Sequence, residues 1–429
     1  MKKYSILLIL CVVTVLAWAQ PTPGPKQTKS ILIVGATAHM GNGEVVEDSA
    51  IGFKDGIIKY AGPQRGVNQA EYDEIIDATG KHVYPGFIAP NSTLGLQEIG
   101  AVRATRDQYE TGTFRPNVRS IIAFNTESEV TPTVRTNGVL IGQITPRGGI
   151  ISGSSSIVHF DGWNWEDAAI EMVDGVHLNW PYVHHRHSQH GKTEFKKRKT
   201  YDQTKQEIIR FFTEAKAYCE GEQEITEVKY EAMCGLFNGE HRLYVHANDI
   251  KQITEAVHFK RAMGIEHMVI IGGYDSYLVT DLLKENNVSV MIQRVHSLPR
   301  FDQDDVDLPY KLPALLQEAG VLFCIENAGD MEQMGTRNLP FYGGTAVAYG
   351  LEYEEAVMAM TLNTAIILGV DDRLGSLEKE KDATLFISTG DALDMRTNDV
   401  THAYIQGRAI DLDNRQLQLY RKYKAKYDN

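Results

Sequence analysis

Apolar positions change their period several times along this chain, and the changes divide it into an interior and two ends. Just after Ser30 come short runs, Ile31–Val34, Ser49–Phe53 and Ile57–Tyr60, that alternate or stay apolar for four or five residues and predict strands. Asp55-Gly56, set between the last two, predicts a tight hairpin turn. Similar runs near the far end, Ala383–Ile387 and Val400–Ile405, are followed by Gly407. The two terminal pieces, 30–84 and 375–415, are expected to complete one small composite β-sandwich.

Between them the pattern alternates. Leu243–His246, Met268–Ile271, Val288–Ile292 and Val321–Ile325 predict strands. The segment from Asn248 to Met263 predicts a helix, with Ile250, Ile253 and Val257 on one face. Leu278, Val279, Leu282 and Leu283 mark a second helix, and Leu312, Leu315 and Leu316 a third. Units of this kind imply a parallel sheet with helical crossovers, as a barrel or as a doubly wound sheet. With no dinucleotide fingerprint or phosphate loop, the main reason for the doubly wound form is gone. The fold class is therefore α/β, with 85–374 read as a (β/α)8 TIM barrel.

The N-terminus has a different character. Lys2 and Lys3 precede an apolar run from Ile6 to Trp18, and Ala17-Trp18-Ala19 has small residues at the spacing of a cleavage site. Residues 1–19 read as a secretory signal peptide cut before Gln20, and proline makes 20–29 a linker. The run is short for a membrane span. The expected location is the periplasm or the exterior, with no span left after cleavage. A net charge of −13 argues against nucleic acid or an anionic membrane as the partner. Removing the leader leaves Cys219, Cys234 and Cys324, which allow one bridge at most. Cys219 and Cys234 are the nearest pair, although reduced, buried thiols are the simpler expectation.

Three further stretches hold candidate chemistry. His184-His185-Arg186-His187-Ser188-Gln189-His190 offers imidazoles that suit Zn²⁺ or Cu²⁺, against the plainer reading of an exposed insertion continued by basic Lys192–Lys199. Gly148–Ser156, rich in glycine and serine, lacks the spacing of a nucleophile elbow and reads as a turn and loop. Asp161, Trp163 and Trp165 either line the mouth of the barrel or pack against it.

Residues Tyr84-Pro85-Gly86-Phe87-Ile88-Ala89-Pro90-Asn91-Ser92-Thr93-Leu94 resemble the first barrel strand of the amidohydrolase superfamily, which normally reads Pro-Gly-Phe-Ile-Asp-x-His-x-His-Leu. The likeness extends through Val245–Ile250, Gly272–Tyr277, Thr336–Phe341, Ile367–Val370 and Gly375–Glu378, and within the superfamily it is to the exported, imidazolonepropionase-like branch. It implies a metal-dependent hydrolase of carbon–nitrogen bonds other than peptide bonds. Zn²⁺ or another divalent metal would sit at the C-terminal ends of the strands, and an acid on the last strand would take a proton from water. Carried over by position, the two metal-binding histidines become Asn91 and Thr93, and Gly272 stands where the sixth strand often brings another. His246 matches the fifth-strand ligand. The last-strand acid falls at Glu326, Asn327 or Asp330.

A catalytic Zn²⁺ takes about three protein ligands, and this set holds one sound imidazole. Two functions stand at this point. One is a hydrolase acting on a small-molecule substrate, by residual metal or by Asp330 or Glu326 as general base. The other is a pseudoenzyme that binds a ligand or partners a metal-competent paralogous subunit. In the second case His246 is a polar lining residue, expected to hydrogen-bond to Asn91 or Thr93.

Overall fold

The computed structural model describes residues 23–427 apart from 190, 191, 223, 224 and 330. The expected signal peptide and its cleavage site lie outside the described residues, as does Asp330. Strands β1 (Ile31–His39), β2 (Val45–Lys54) and β3 (Ile57–Pro63) form an antiparallel meander, joined by short strands β4 (Glu74–Asp77) and β5 (His82–Pro85) alongside β1. The β2–β3 turn has Asp55 at φ +53° and Gly56 at φ +82°. Two successive left-handed residues are what a two-residue hairpin of this hand requires, and Asp-Gly supplies them at low steric cost.

The barrel follows: β6 (Phe87–Ser92), β7 (Val139–Ile144), β8 (Ile151–His159) and β9 (Ala169–Asn179). A hairpin of β10 (His184–Gln189) and β11 (Lys192–Lys197) comes next, so the histidine-rich stretch and its basic continuation pair as two strands. Then come β12 (Arg242–Ala247), β13 (Met268–Gly272), β14 (Val288–Ile292) and β15 (Phe323–Ile325). Side by side the order is β6, β7, β8, β9, β12, β13, β14, β15. Neighbours run parallel, except that β8 is antiparallel to both β7 and β9. Between β15 and β6 a turn closes the circle: Ile325 N–H donates to the Ala359 carbonyl (3.2 Å) and Ile88 N–H to the Met360 carbonyl (2.9 Å). β7 and β13 are buried along their whole length, as strands enclosed on both faces must be.

The helix Ile250–Met263 starts on an Asp249/Gln252 capping box and stops at Gly264, φ +70°. At the C-terminal end, β16 (Leu385–Ser388), β17 (Val400–Ile405) and β18 (Arg408–Ala409) extend the first sheet through β16 against β5. That sheet curls until Ile58 N–H, in β3, donates to the Lys381 carbonyl at 2.9 Å. It encloses Ile33, Ile51, Phe53, Ile58, Val83, Leu385, Ile387 and Tyr404.

Two expectations are corrected. Most of the Gly148–Ser156 stretch is strand β8, not loop. Small residues let it thread between two neighbours, and Ser154 and Ser156 donate to the carbonyls of Pro116 and Met172, both at 2.7 Å. Cys219 and Cys234 form a disulfide while Cys324 stays free and buried. The end of the helix Tyr201–Glu220 lies against the short helix Cys234–Phe237, a proximity that sequence spacing alone leaves open. Asp161 is away from the mouth, buried between Arg135 (3.0 Å) and Arg408 (2.7 Å), while Trp163 is exposed and Trp165 packs on the core. Among the described residues no helix is long and apolar enough to cross a membrane.

Candidate functional site

At the C-terminal end of β6 the chain turns through Asn91, whose φ of +49° is a left-handed conformation that asparagine tolerates well. The turn aims all three of its polar groups at other strands. Its N–H donates to Gln143 Oε1 (2.9 Å), and its carbonyl accepts from Arg147 Nη2 (2.7 Å). Its Nδ2 donates to Glu326 Oε2 at 2.6 Å. Glu326 follows β15 directly and is itself anchored by its N–H to the Ile292 carbonyl. Burial pushes the Glu326 carboxyl up to about 7, against the pull of the Asn91 amide and the Arg147 charge, with Glu332 adding to the rise.

Across the mouth stand two imidazoles. His246, near the end of β12, shares a hydrogen bond between its Nε2 and His177 Nδ1 at 3.1 Å. His177 Nε2 in turn meets Ser155 Oγ at 2.8 Å, and its ring stacks on Tyr244. Burial holds both rings below the ordinary histidine range, His246 at about 3, and the Arg147 charge acts the same way. Both are therefore neutral near pH 7. Beneath them Asp174 Oδ2 accepts from Tyr244 OH and Gln143 Nε2, each at 2.7 Å. The partner of His246 is thus His177, not Asn91 or Thr93. The sequence marks His177 only as one polar residue in the apolar run Val176–Leu178.

A cavity of about 470 Å³ opens here. Of the residues singled out in the sequence it brings together Asn91, His246, Gly272 and Glu326. Thr93 is fully buried beyond that lining, its hydroxyl without a partner among the described residues. Asn327 faces elsewhere: its Nδ2 donates to the Glu332 carbonyl and its Oδ1 accepts from Tyr342 OH, both at 2.7 Å. His184 is exposed on its hairpin.

The donor set does not fit a catalytic metal. Among the described residues no three His, Cys, Asp or Glu side chains gather to hold a cation. His246 Nε2 is engaged by His177, and Asn91 offers a neutral amide already bonded to Glu326. Gly272 has φ +96°, and a Cβ there would lie 2.6 Å from Asn248 Oδ1, so not even a methyl fits unless Asn248 moves. Arg147, held by the Asn91 carbonyl and by Glu332 at 3.2 Å, places a permanent positive charge where a dication would be repelled.

Residues 240–410 match the amidohydrolase family model. No curated protein matches the chain. Among solved structures, an amidohydrolase from Thermotoga maritima MSB8 is similar at 24% identity with a TM-score of 0.76, over 89% of this chain and 99% of the other. A Xaa-Pro dipeptidase with bound methionine in its active site is similar at 14% identity and a TM-score of 0.55, over 89% and 100%. An adenosine deaminase from Xanthomonas campestris with bound zinc is similar at 14% and 0.52, over 94% and 99%. Identities this low speak to fold, and the barrel and its second sheet are common ground. Residues 240–410 thus carry a likeness to the amidohydrolase family, and the chain as a whole shares its fold with a solved amidohydrolase.

Proposed function

We propose that this protein is an exported ligand-binding member of its family, holding a small molecule at the barrel mouth without the hydrolytic metal. The observation that carries the reading is the hydrogen bond from Asn91 Nδ2 to Glu326 Oε2. It joins, by an amide, two positions from which the resemblance would have a metal held and its water deprotonated. Export is supported by the leader-like N-terminus and by the Cys219–Cys234 bridge, a pairing that persists in oxidising compartments. The sequence motifs place the likeness in the exported, imidazolonepropionase-like branch.

The test is metal content and turnover of untagged protein grown with zinc, manganese and cobalt. The expected result is well under one metal per chain after dialysis, and no hydrolysis of lactams, cyclic imides or dipeptides above background. One tightly held metal per chain, lost together with activity in His246→Ala, would overturn the reading. A second reading has one specific observation in its favour: a buried carboxyl with a pKa of about 7 on the cavity wall is poised as a general base. If metal-free protein hydrolyses an amide with a rate that rises through about pH 7, and Glu326→Gln abolishes it, that reading replaces the first.

A further inference from the structure

The cavity has a polarity of its own, and it constrains the chemistry of its occupant. Two carbonyl oxygens on its wall, Asn91 Oδ1 and Gln108 Oε1, have no hydrogen-bond partner among the described residues. Both side chains are nearly fully buried, at 2% and 5% exposure, so bulk water does not readily satisfy them. In each case the amide's other end is engaged, by Glu326 and by Gln97 Oε1, which fixes the oxygen as the group left over. An occupant must therefore bring at least two O–H or N–H donors.

Charge narrows the class further. The Arg147 guanidinium is matched by Glu332, and His246 Nε2 is taken up by His177. Glu326, the remaining carboxyl among the described residues of the wall, already accepts from the Asn91 amide and the Ala328 N–H. A carboxylate or phosphate ligand would find carbonyl oxygens and a spoken-for guanidinium. Among the described residues an ammonium would meet carboxylates that are already engaged, Glu326 by Asn91 and Glu332 by Arg147. Amides recur on the wall, at Gln97, Asn248 and Gln293 beside Ser152, Ile271 and Met331, and an amide combines donor and acceptor as a hydroxyl does. At the rim stand two tyrosines, Tyr109 and Tyr182, exposed by 58% and 41%, whose ring faces can take the C–H face of a saturated ring.

We propose that the cavity binds a neutral polyhydroxylated ring, a mono- or disaccharide or a cyclic polyol. Two of its hydroxyls donate to Asn91 Oδ1 and Gln108 Oε1, and a ring face rests on Tyr182. The inference rests on the reading that the mouth is a ligand site without a metal.

Titration calorimetry on the described chain, purified metal-free, tests it with glucose, galactose, mannose, xylose, their β-linked disaccharides and inositol. The matching uronic acids, amino sugars, dipeptides and a cyclic imide complete the panel. The expected result is saturable one-to-one binding of at least one neutral member, with its acidic and amino counterparts at least about tenfold weaker. Gln108→Ala and Tyr182→Ala, each with an unchanged thermal midpoint, should each weaken that binding by roughly three- to tenfold. Preference for a charged sugar, a dipeptide or the imide would overturn the proposal while leaving the metal-free reading standing. No binding of any neutral member at millimolar concentration overturns it too. Failure of the metal-free reading appears separately, as stoichiometric metal in the elemental analysis.

Discussion

Glu326 is a carboxylate held out of water for the sake of its position. Its folded pKa of about 7 stands above the ordinary value of 4.5, so between those two pH values the folded chain keeps a proton that the unfolded chain has released. The stability this gives is complete below about pH 4.5 and is lost as the pH rises through about 7. Unfolding free energies from urea titrations between about pH 5 and about pH 7.5 should therefore fall for the native chain relative to Glu326→Gln, by on the order of 2 kcal/mol across the window. Equal slopes for the two proteins would show that the carboxyl is not so buried. At this scale the sequence is informative where a side chain stands inside a recognisable strand. Asn91, Thr93 and Gly272 stand in recognisable strands at positions where the resemblance expects metal ligands. It is silent on His177 and Gln143, because their roles depend on which strand lies beside which, and on a register set by tertiary pairing.

Elements with strong local signals are legible, and those defined by their neighbours are not. The helix Ile250–Met263 announces both its ends, at Asp249 and at Gly264, and β14 coincides with the apolar run that predicts it. Strand β8 is hidden because Ser152 to Ser156, broken by Gly153, resembles a loop until two flanking strands supply hydrogen bonds. The disulfide belongs at this scale as well. It ties together two helices whose cysteines are 15 residues apart. Closing a loop of that size restricts the unfolded chain by about 3 kcal/mol in the chain-entropy account. Replacing both cysteines by serine should lower the unfolding free energy by about 2–3 kcal/mol. Reductant should reproduce the shift in the parent chain and leave the variant unmoved.

For the whole molecule, the question is what welds the barrel to the sheet drawn from both chain ends. Asp161, just beyond β8, accepts from Arg135 in the helix Thr131–Arg135 and from Arg408 in β18, while Gly24 N–H donates to its Oδ2 at 3.1 Å. Burial lowers the Arg135 pKa and the Asp161 charge opposes that shift, so the carboxylate keeps a buried cation in place. Asp161→Ala leaves two guanidinium groups facing each other with the charge of Asp411 as the remaining offset at Arg135. Its expected cost is about 3–5 kcal/mol by denaturant titration, far above that of a surface ion pair. A cost under about 1 kcal/mol would mean that water replaces the carboxylate. That the two ends would meet was readable from their matching strand patterns. The weld was not, because Asp161, Arg135 and Arg408 are scattered over more than half the chain.

The turn at Ala359–Met360 gives the barrel the character of a bracelet. Everywhere else adjacent strands are zipped by ladders, but between β15 and β6 the circle is fastened by two backbone links passed through a third party. The Asn91–Glu326 bond is a direct side-chain bridge from β6 to the residues just beyond β15, and it fastens the same gap from the cavity side. A catch at the weakest point of a ring governs whether the ring springs open. Whatever fills the mouth and grips Asn91 therefore also tightens the clasp, so occupancy and the integrity of the cylinder are coupled at a single residue.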